Sequence, residues 1–82
     1  MNEQEFRSKI IKAETMRYII EPDRSEYWVG YIRGLRRAFY GDTFGSLEEH
    51  KAWLKASEDT DEVRKQRGIG YKEGFNELRN KE

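Results

Sequence analysis

The 82-residue sequence contains no cysteine and only one proline. Without cysteine, the chain can form neither a disulfide framework nor a thiolate metal site, and the lone His50 cannot supply a usual zinc site. No apolar run approaches the roughly 18 residues of a membrane-spanning helix, and no charged-then-apolar signal region opens the chain. We therefore expect a cytoplasmic protein with no membrane segment, no metal and no cofactor.

The sequence also lacks an excess of either charge. Lysine and arginine number 16, aspartate and glutamate number 16, and the formal net charge is zero. A dedicated nucleic-acid-binding domain is usually strongly basic, so this balance counts against one, although it leaves room for a small basic patch. The length of 82 residues predicts one domain, 1–82, with a single thin core.

Helical periodicity dominates the pattern of apolar residues. It predicts an all-α domain of four helices at about 3–20, 24–40, 46–56 and 60–79. Four N-cap candidates each precede a glutamate by three residues: Asn2, Asp23, Ser46 and Asp59. Pro22 should end the first helix and Gly41 the second, and no segment alternates as a strand does. Phe6, Ile10 and Ile20 should pack the first helix on the second and fourth, and Trp53 should close one end.

The second and fourth helical segments resemble each other at an offset of forty residues. Both carry Gly-Tyr-x-x-Gly followed by a large apolar residue, at 30–35 and 70–75. Two glycines four residues apart leave a groove on a helix in which another backbone can approach closely. We predict that helices two and four cross through the grooves at Gly30, Gly34, Gly70 and Gly74. The alternatives are that one groove stays open to a second chain, a second copy included, or approaches a phosphate. Gly68 and Gly70 also weaken the fourth helix, so a break near 68–70 is an option.

Charge is distributed unevenly along the chain. Residues 42–62 carry two basic and seven acidic side chains, a net of −5, and residues 63–82 carry six and three, a net of +3. Acidic residues in first turns and arginines in last turns are partly ordinary complements of the helix dipoles. The functional interpretation is a recognition surface in which arginines bind carboxylates and tyrosines supply buried area, made of Arg33, Arg36, Arg37, Tyr27 and Tyr40. A basic strip for nucleic acid is the alternative, made of Arg33, Arg36, Arg37, Arg64, Lys65 and Arg67.

Groups for catalysis are scarce. His50 shares a helix face with Trp53 and Leu54, where a half-buried packing role is more common than a ligand role. No acidic residue is forced inward by the pattern, so general acid–base chemistry has no candidate. We therefore expect no enzymatic activity.

The stretch Tyr-Trp-x-Gly-Tyr-x-Arg-Gly-Leu-Arg-Arg-Ala at 27–38 resembles small uncharacterised proteins encoded by bacteriophages and prophages. Across about residues 26–75, further shared motifs are Phe44-Gly45, Glu48-Glu49-His50, Trp53-Leu54, Arg67-Gly68 and Gly70-Tyr71 with Gly74. The resemblance implies a bacterial or phage cytoplasmic setting and carries no catalytic residues. We expect a non-enzymatic protein-interaction module whose partner the sequence does not name. The alternatives are a nucleic-acid-binding protein and a self-associating structural protein, as monomer or homodimer.

Overall fold

A computed structural model describes residues 2–77, and every regular element within that range is helical. In chain order the elements are α1 Glu3–Thr15, a π-helical segment Met16–Ile20, a 3-10 turn Pro22–Arg24, α2 Ser25–Tyr40, a 3-10 turn Gly41–Thr43, α3 Leu47–Ala56 and α4 Glu62–Glu77. This confirms the predicted all-α class and the four helices. The predicted end of the fourth helix at 79 lies outside the described residues.

Two of the four predicted N-caps are confirmed. The side chain of Asn2 accepts a hydrogen bond from the Glu5 amide at 2.8 Å, and Ser46 Oγ accepts one from the Glu49 amide at 3.1 Å. Each side chain satisfies an amide that has no partner within its own helix.

The other two N-cap predictions are wrong. Asp23 lies inside the 3-10 turn that Pro22 begins, because the fixed φ of proline starts a tight turn of its own, and α2 begins only at Ser25. Asp59 instead accepts from the amide of Asp61 at 2.8 Å. Asp61 then accepts from the Arg64 amide at 3.0 Å, so α4 begins at Glu62, two residues later than expected.

Helices α2 and α4 cross through their glycines, as predicted. A Cβ atom built on Gly30 would lie 1.9 Å from the carbonyl oxygen of Arg67, and one built on Gly70 would lie 1.9 Å from that of Tyr27. The forty-residue offset converts one contact into the other, because residue 30 corresponds to residue 70 and residue 67 corresponds to residue 27. The crossing therefore has an approximate two-fold symmetry, which is the structural origin of the repeated sequence motif.

The second pair of glycines obeys the same symmetry. A Cβ on Gly34 would lie 2.2 Å from the Tyr71 carbonyl oxygen, and one on Gly74 would lie 2.1 Å from the Tyr31 carbonyl oxygen. Because α4 fills the groove at Gly30 and Gly34, that groove is not open to a second chain. The fourth helix runs unbroken through residues 68–70, where Gly68 packs against the backbone of Ser57 at the end of α3.

The first helix packs on α2 through Phe6, which is 5% exposed and stacks on Phe39 with ring centroids 4.2 Å apart. The prediction that Ile20 joins this contact is wrong, since Ile20 is 61% exposed. The reason is the π-helical segment. Its hydrogen bonds span one residue more than those of an α-helix, so each residue adds less rotation and Ile20 turns away from the core.

The short helix α3 covers the other side of α4. The Trp53 ring stacks on the buried Tyr71 with centroids 5.3 Å apart, as expected for a helix that closes one end of the core. His50 is half-buried, as predicted, and its Nδ1 lies 2.6 Å from the Tyr71 hydroxyl. This contact satisfies a polar group in the core, while burial raises the pKa of Tyr71.

Candidate functional site

Four arginines from three separate parts of the chain line one cleft of about 350 Å³. We call it the arginine cleft, and its lining residues are Arg17, Val29, Ile32, Arg33, Arg36, Trp53 and Arg67. The arginines come from the π-helical segment, from α2 and from α4, while α3 supplies the tryptophan. The cleft therefore exists only when the four helices are packed together.

Helix α2 builds the floor of the cleft by its own periodicity. Val29, Ile32, Arg33 and Arg36 lie on one face, because residues three and four apart are neighbours on a helix. Ile32 is 7% exposed and belongs to the core, whereas Arg36 is exposed. The floor is thus apolar and the rim is cationic.

Two of the four cations are neutralised within the fold. Arg33 forms an ion pair with Glu49 at 2.7 Å, and its guanidinium carbon lies 5.3 Å from the centroid of the Trp53 ring. Arg67 forms an ion pair with Glu26. Both pairs are partly exposed, so their main effect is to orient the two guanidinium groups at the cleft.

The positive charges of the other two arginines are not balanced by a carboxylate in this way. Neither Arg17 nor Arg36 forms an ion pair with any of residues 2–77. Arg17 Nε is buried without a hydrogen-bond partner in that range, and its guanidinium carbon lies 4.6 Å from the Tyr18 ring centroid. A buried donor without an acceptor is costly, so the position of Arg17 at the cleft is maintained against this cost.

Arg37 was predicted to belong to the recognition surface, and this is wrong. Its side chain is buried, with 6% of the residue exposed, and it donates to the carbonyl oxygens of Gly41, Phe44 and Gly45 at 3.3, 3.4 and 2.9 Å. These carbonyls belong to the turn after α2, where φ is positive at both glycines and the backbone leaves its helical hydrogen-bond pattern. Arg37 therefore stabilises this turn.

Tyr27 was also predicted to belong to the recognition surface, and this too is wrong, because only 7% of it is exposed. Its backbone lies against Gly70 at the helix crossing, and its ring packs edge-on against that of Trp28 with centroids 4.9 Å apart. Burial, followed by the charge and hydrogen bond of Glu73, raises the pKa of Tyr27 above its ordinary value. Tyr40 is 50% exposed, as expected, but it does not line the cleft.

Of the predicted basic strip, Arg37 is buried and lies outside any exposed surface. Arg33, Arg36 and Arg67 meet in the cleft, whereas Lys65 is exposed outside its lining. Arg64 lines a neighbouring pocket instead. Arg17 was not among the predicted site residues, because nothing in the sequence near residue 17 shows that the π-helical segment brings it to α2.

A second, smaller pocket adjoins the cleft between α3 and α4. We call it the α3–α4 pocket, and it has a volume of about 200 Å³ and is lined by Ala52, Trp53, Ala56, Arg64 and Arg67. Trp53 and Arg67 line both sites, so the two hollows are direct neighbours.

A third feature of the surface is an exposed apolar patch. Ile11, Tyr18, Ile19 and Ile20 are each between 61% and 74% exposed along α1 and the π-helical segment.

Residues 2–77 contain neither a cluster of metal-ligating side chains nor a membrane-spanning helix. Among residues 2–77, no group of three or more metal-ligating His, Cys, Asp or Glu side chains could hold an ion. Within the same range, no helix combines the length and apolar character needed to cross a membrane.

Comparison with known proteins gave no match to a family model, to a curated protein or to a solved structure. The resemblance to small bacteriophage and prophage proteins therefore stays a prediction. What the chain binds has to be argued from the cleft itself.

Proposed function

We propose that the protein is a non-enzymatic protein-interaction module that binds an acidic segment of a partner through the arginine cleft. One observation carries this proposal. Four arginines converge on a small cleft with an apolar floor, and two of them, Arg17 and Arg36, have no carboxylate partner among residues 2–77. Guanidinium groups bind carboxylates through paired hydrogen bonds, and such charge-assisted bonds are the strong ones.

The environment of Trp53 counts against a single-stranded nucleic acid as the partner. Single-stranded nucleic acid is usually held by bases stacked on exposed aromatic rings. The Trp53 ring is stacked on Tyr71, and the Arg33 guanidinium lies against it as well, 5.3 Å from its centroid. A base therefore has no free tryptophan face in the cleft on which to stack.

The biological setting follows from the sequence resemblance and is part of the same proposal. Small phage proteins commonly act by binding host or viral macromolecules, so we propose a bacterial or viral protein as the partner. A self-associating structural role through the groove at Gly30 and Gly34 has no support, because α4 occupies that groove.

Fluorescence anisotropy with a labelled glutamate-rich peptide tests the proposal. Binding should be measured at about 50 mM and about 200 mM salt, since contacts between opposite charges weaken over this range. Arg36→Ala should weaken binding about tenfold, because a hydrogen bond to a charged group contributes about 1.5–3 kcal/mol. Lys65→Ala is the matched control, since Lys65 is an exposed cation outside the cleft, and it should bind as the unaltered protein does.

Three results would contradict the proposal. The first is an absence of peptide binding at the lower salt concentration. The second is an equal loss in Arg36→Ala and Lys65→Ala, which would show attraction by charge without a site. The third is tighter binding of labelled single-stranded or duplex DNA than of the peptide, which would favour the nucleic-acid alternative. Arg37 is left unchanged in this test, because it stabilises the turn after α2.

A further inference from the structure

We infer that the acidic segment bound by the cleft also carries an apolar side chain, which inserts into the α3–α4 pocket. This inference rests on the proposed function and adds the chemical pattern of the partner, an apolar anchor with acidic residues on the side that faces the arginine cleft. It is carried by the two lining residues that the hollows share and by the other residues that line the smaller one.

The α3–α4 pocket is suited to an apolar group. Ala52 and Ala56 lie one helical turn apart on α3 and present only methyl groups, which leaves the space that larger side chains would fill. Trp53 and the aliphatic stems of Arg64 and Arg67 supply the remaining walls. The pocket has a volume of about 200 Å³ and is open to solvent, so a leucine or phenylalanine side chain of a partner can pack against its walls.

The charges around the pocket define what flanks the anchor. Arg67 stands at the boundary with the arginine cleft, so an anchor in the pocket leaves one flank of the partner beside Arg17, Arg33 and Arg36. On the other side, Arg64 pairs with Asp59 at 4.0 Å, and the adjoining hollow that shares Ala52 and Ala56 is also lined by the carboxylates of Glu58 and Asp59. Only the flank that faces the arginine cleft therefore favours a carboxylate on the partner.

Matched peptides test this inference. We would compare a glutamate-rich peptide carrying one leucine, placed at successive positions along its length, with the same peptides carrying serine there. The best leucine peptide should bind at least about tenfold more tightly than its serine counterpart, because a leucine side chain leaves water on binding. Ala52→Leu should reduce the ratio of leucine-peptide to serine-peptide affinity to about one, since Ala52 is exposed on the helix and the larger side chain fills the pocket.

Two controls separate this inference from the proposed function. Arg36→Ala should weaken the leucine and serine peptides by the same factor, because it acts on charge alone. Ser8→Leu adds the same side chain at an exposed position on α1, away from the pocket, and should retain the preference for leucine.

The outcomes are distinguishable. Equal binding of leucine and serine peptides, at every position, overturns the inference and leaves the proposed function standing. Retention of the preference in Ala52→Leu also overturns it. Failure of all peptides to bind at low salt overturns both. A concentration-dependent dimer of the protein alone that Ala52→Leu abolishes would assign the pocket to a second copy and would overturn the inference of a separate partner.

Discussion

Replacement of Gly30 by alanine is the sharpest test of the crossing between α2 and α4. The new Cβ would lie 1.9 Å from the Arg67 carbonyl oxygen and 2.9 Å from the Tyr71 amide nitrogen, whereas ordinary contacts begin at 3.4 Å. Both neighbours are backbone atoms of another helix, so no side-chain rotation relieves the clash. The helices must separate, and the separation loosens every other glycine contact along the crossing.

The magnitude follows from two opposing effects. Overpacking costs about 1–3 kcal/mol, and a backbone clash belongs at the upper end of this range. Alanine is favoured over glycine in a helix by about 1 kcal/mol, which offsets part of the cost. We expect a net loss of about 2 kcal/mol, which lowers the melting temperature of a domain of this size by roughly 8–16 °C.

Thermal unfolding followed by circular dichroism measures this loss. Ser8→Ala is the control for helix propensity, because Ser8 is exposed on α1, and it should stay within about 0.5 kcal/mol of the unaltered protein. Gly70→Ala creates the symmetric clash with Tyr27, and one separation of the helices relieves both clashes. The double variant should therefore lose less than the sum of the single losses. A melting temperature for Gly30→Ala equal to or above that of the unaltered protein would refute the reasoning.

Three further predictions concern the turn after α2, a core tyrosine and the π-helical segment. Arg37→Leu should lower the free energy of unfolding by about 2 kcal/mol, since charge-assisted hydrogen bonds to three carbonyls are lost, and an unchanged urea midpoint would contradict this role. Burial, followed by the charge of Glu77, raises the pKa of Tyr31 from 10.0 to about 12. The folded state thus holds this proton more tightly than the unfolded state, and the stability it contributes is complete below pH 10.0 and is lost as the pH rises towards about 12. Urea unfolding across this range should show the decline, and Tyr31→Phe should reduce its slope; an identical slope would count against the assignment. Finally, Ile20→Ser should change stability by no more than about 0.5 kcal/mol, whereas Phe6→Ala should cost about 3 kcal/mol, and equal costs in chemical unfolding would place Ile20 in the core.

Contacts between neighbours in the sequence account for the predictions that were confirmed. A helix N-cap is decided within four residues, so Asn2 and Ser46 could be assigned without any knowledge of the fold. The glycine motif repeated after forty residues is also readable locally, because a glycine pair on one helix face has few purposes besides close packing.

Local signals were misleading where a neighbouring element changed the geometry. Pro22 moved the start of α2 from the expected cap at Asp23 to Ser25. The π-helical segment before it turned Ile20 outward, although an uninterrupted α-helix would have placed that residue on the face of Phe6 and Ala13. Periodicity alone cannot show such a change of winding, since it assumes a constant rotation for each residue.

The sequence by itself determined the helical class, the four helices and the pairing of α2 with α4, because these depend on short-range spacing and on the absence of side chains at the repeated glycines. Only the tertiary structure decided which cations face solvent. Arg37 is buried because the turn after α2 presents carbonyl groups that need donors, while Arg17 reaches the cleft because α1 and its π-helical segment pack against α2. The candidate site is a product of packing between distant segments, and such proximity is not encoded in any single stretch of the chain.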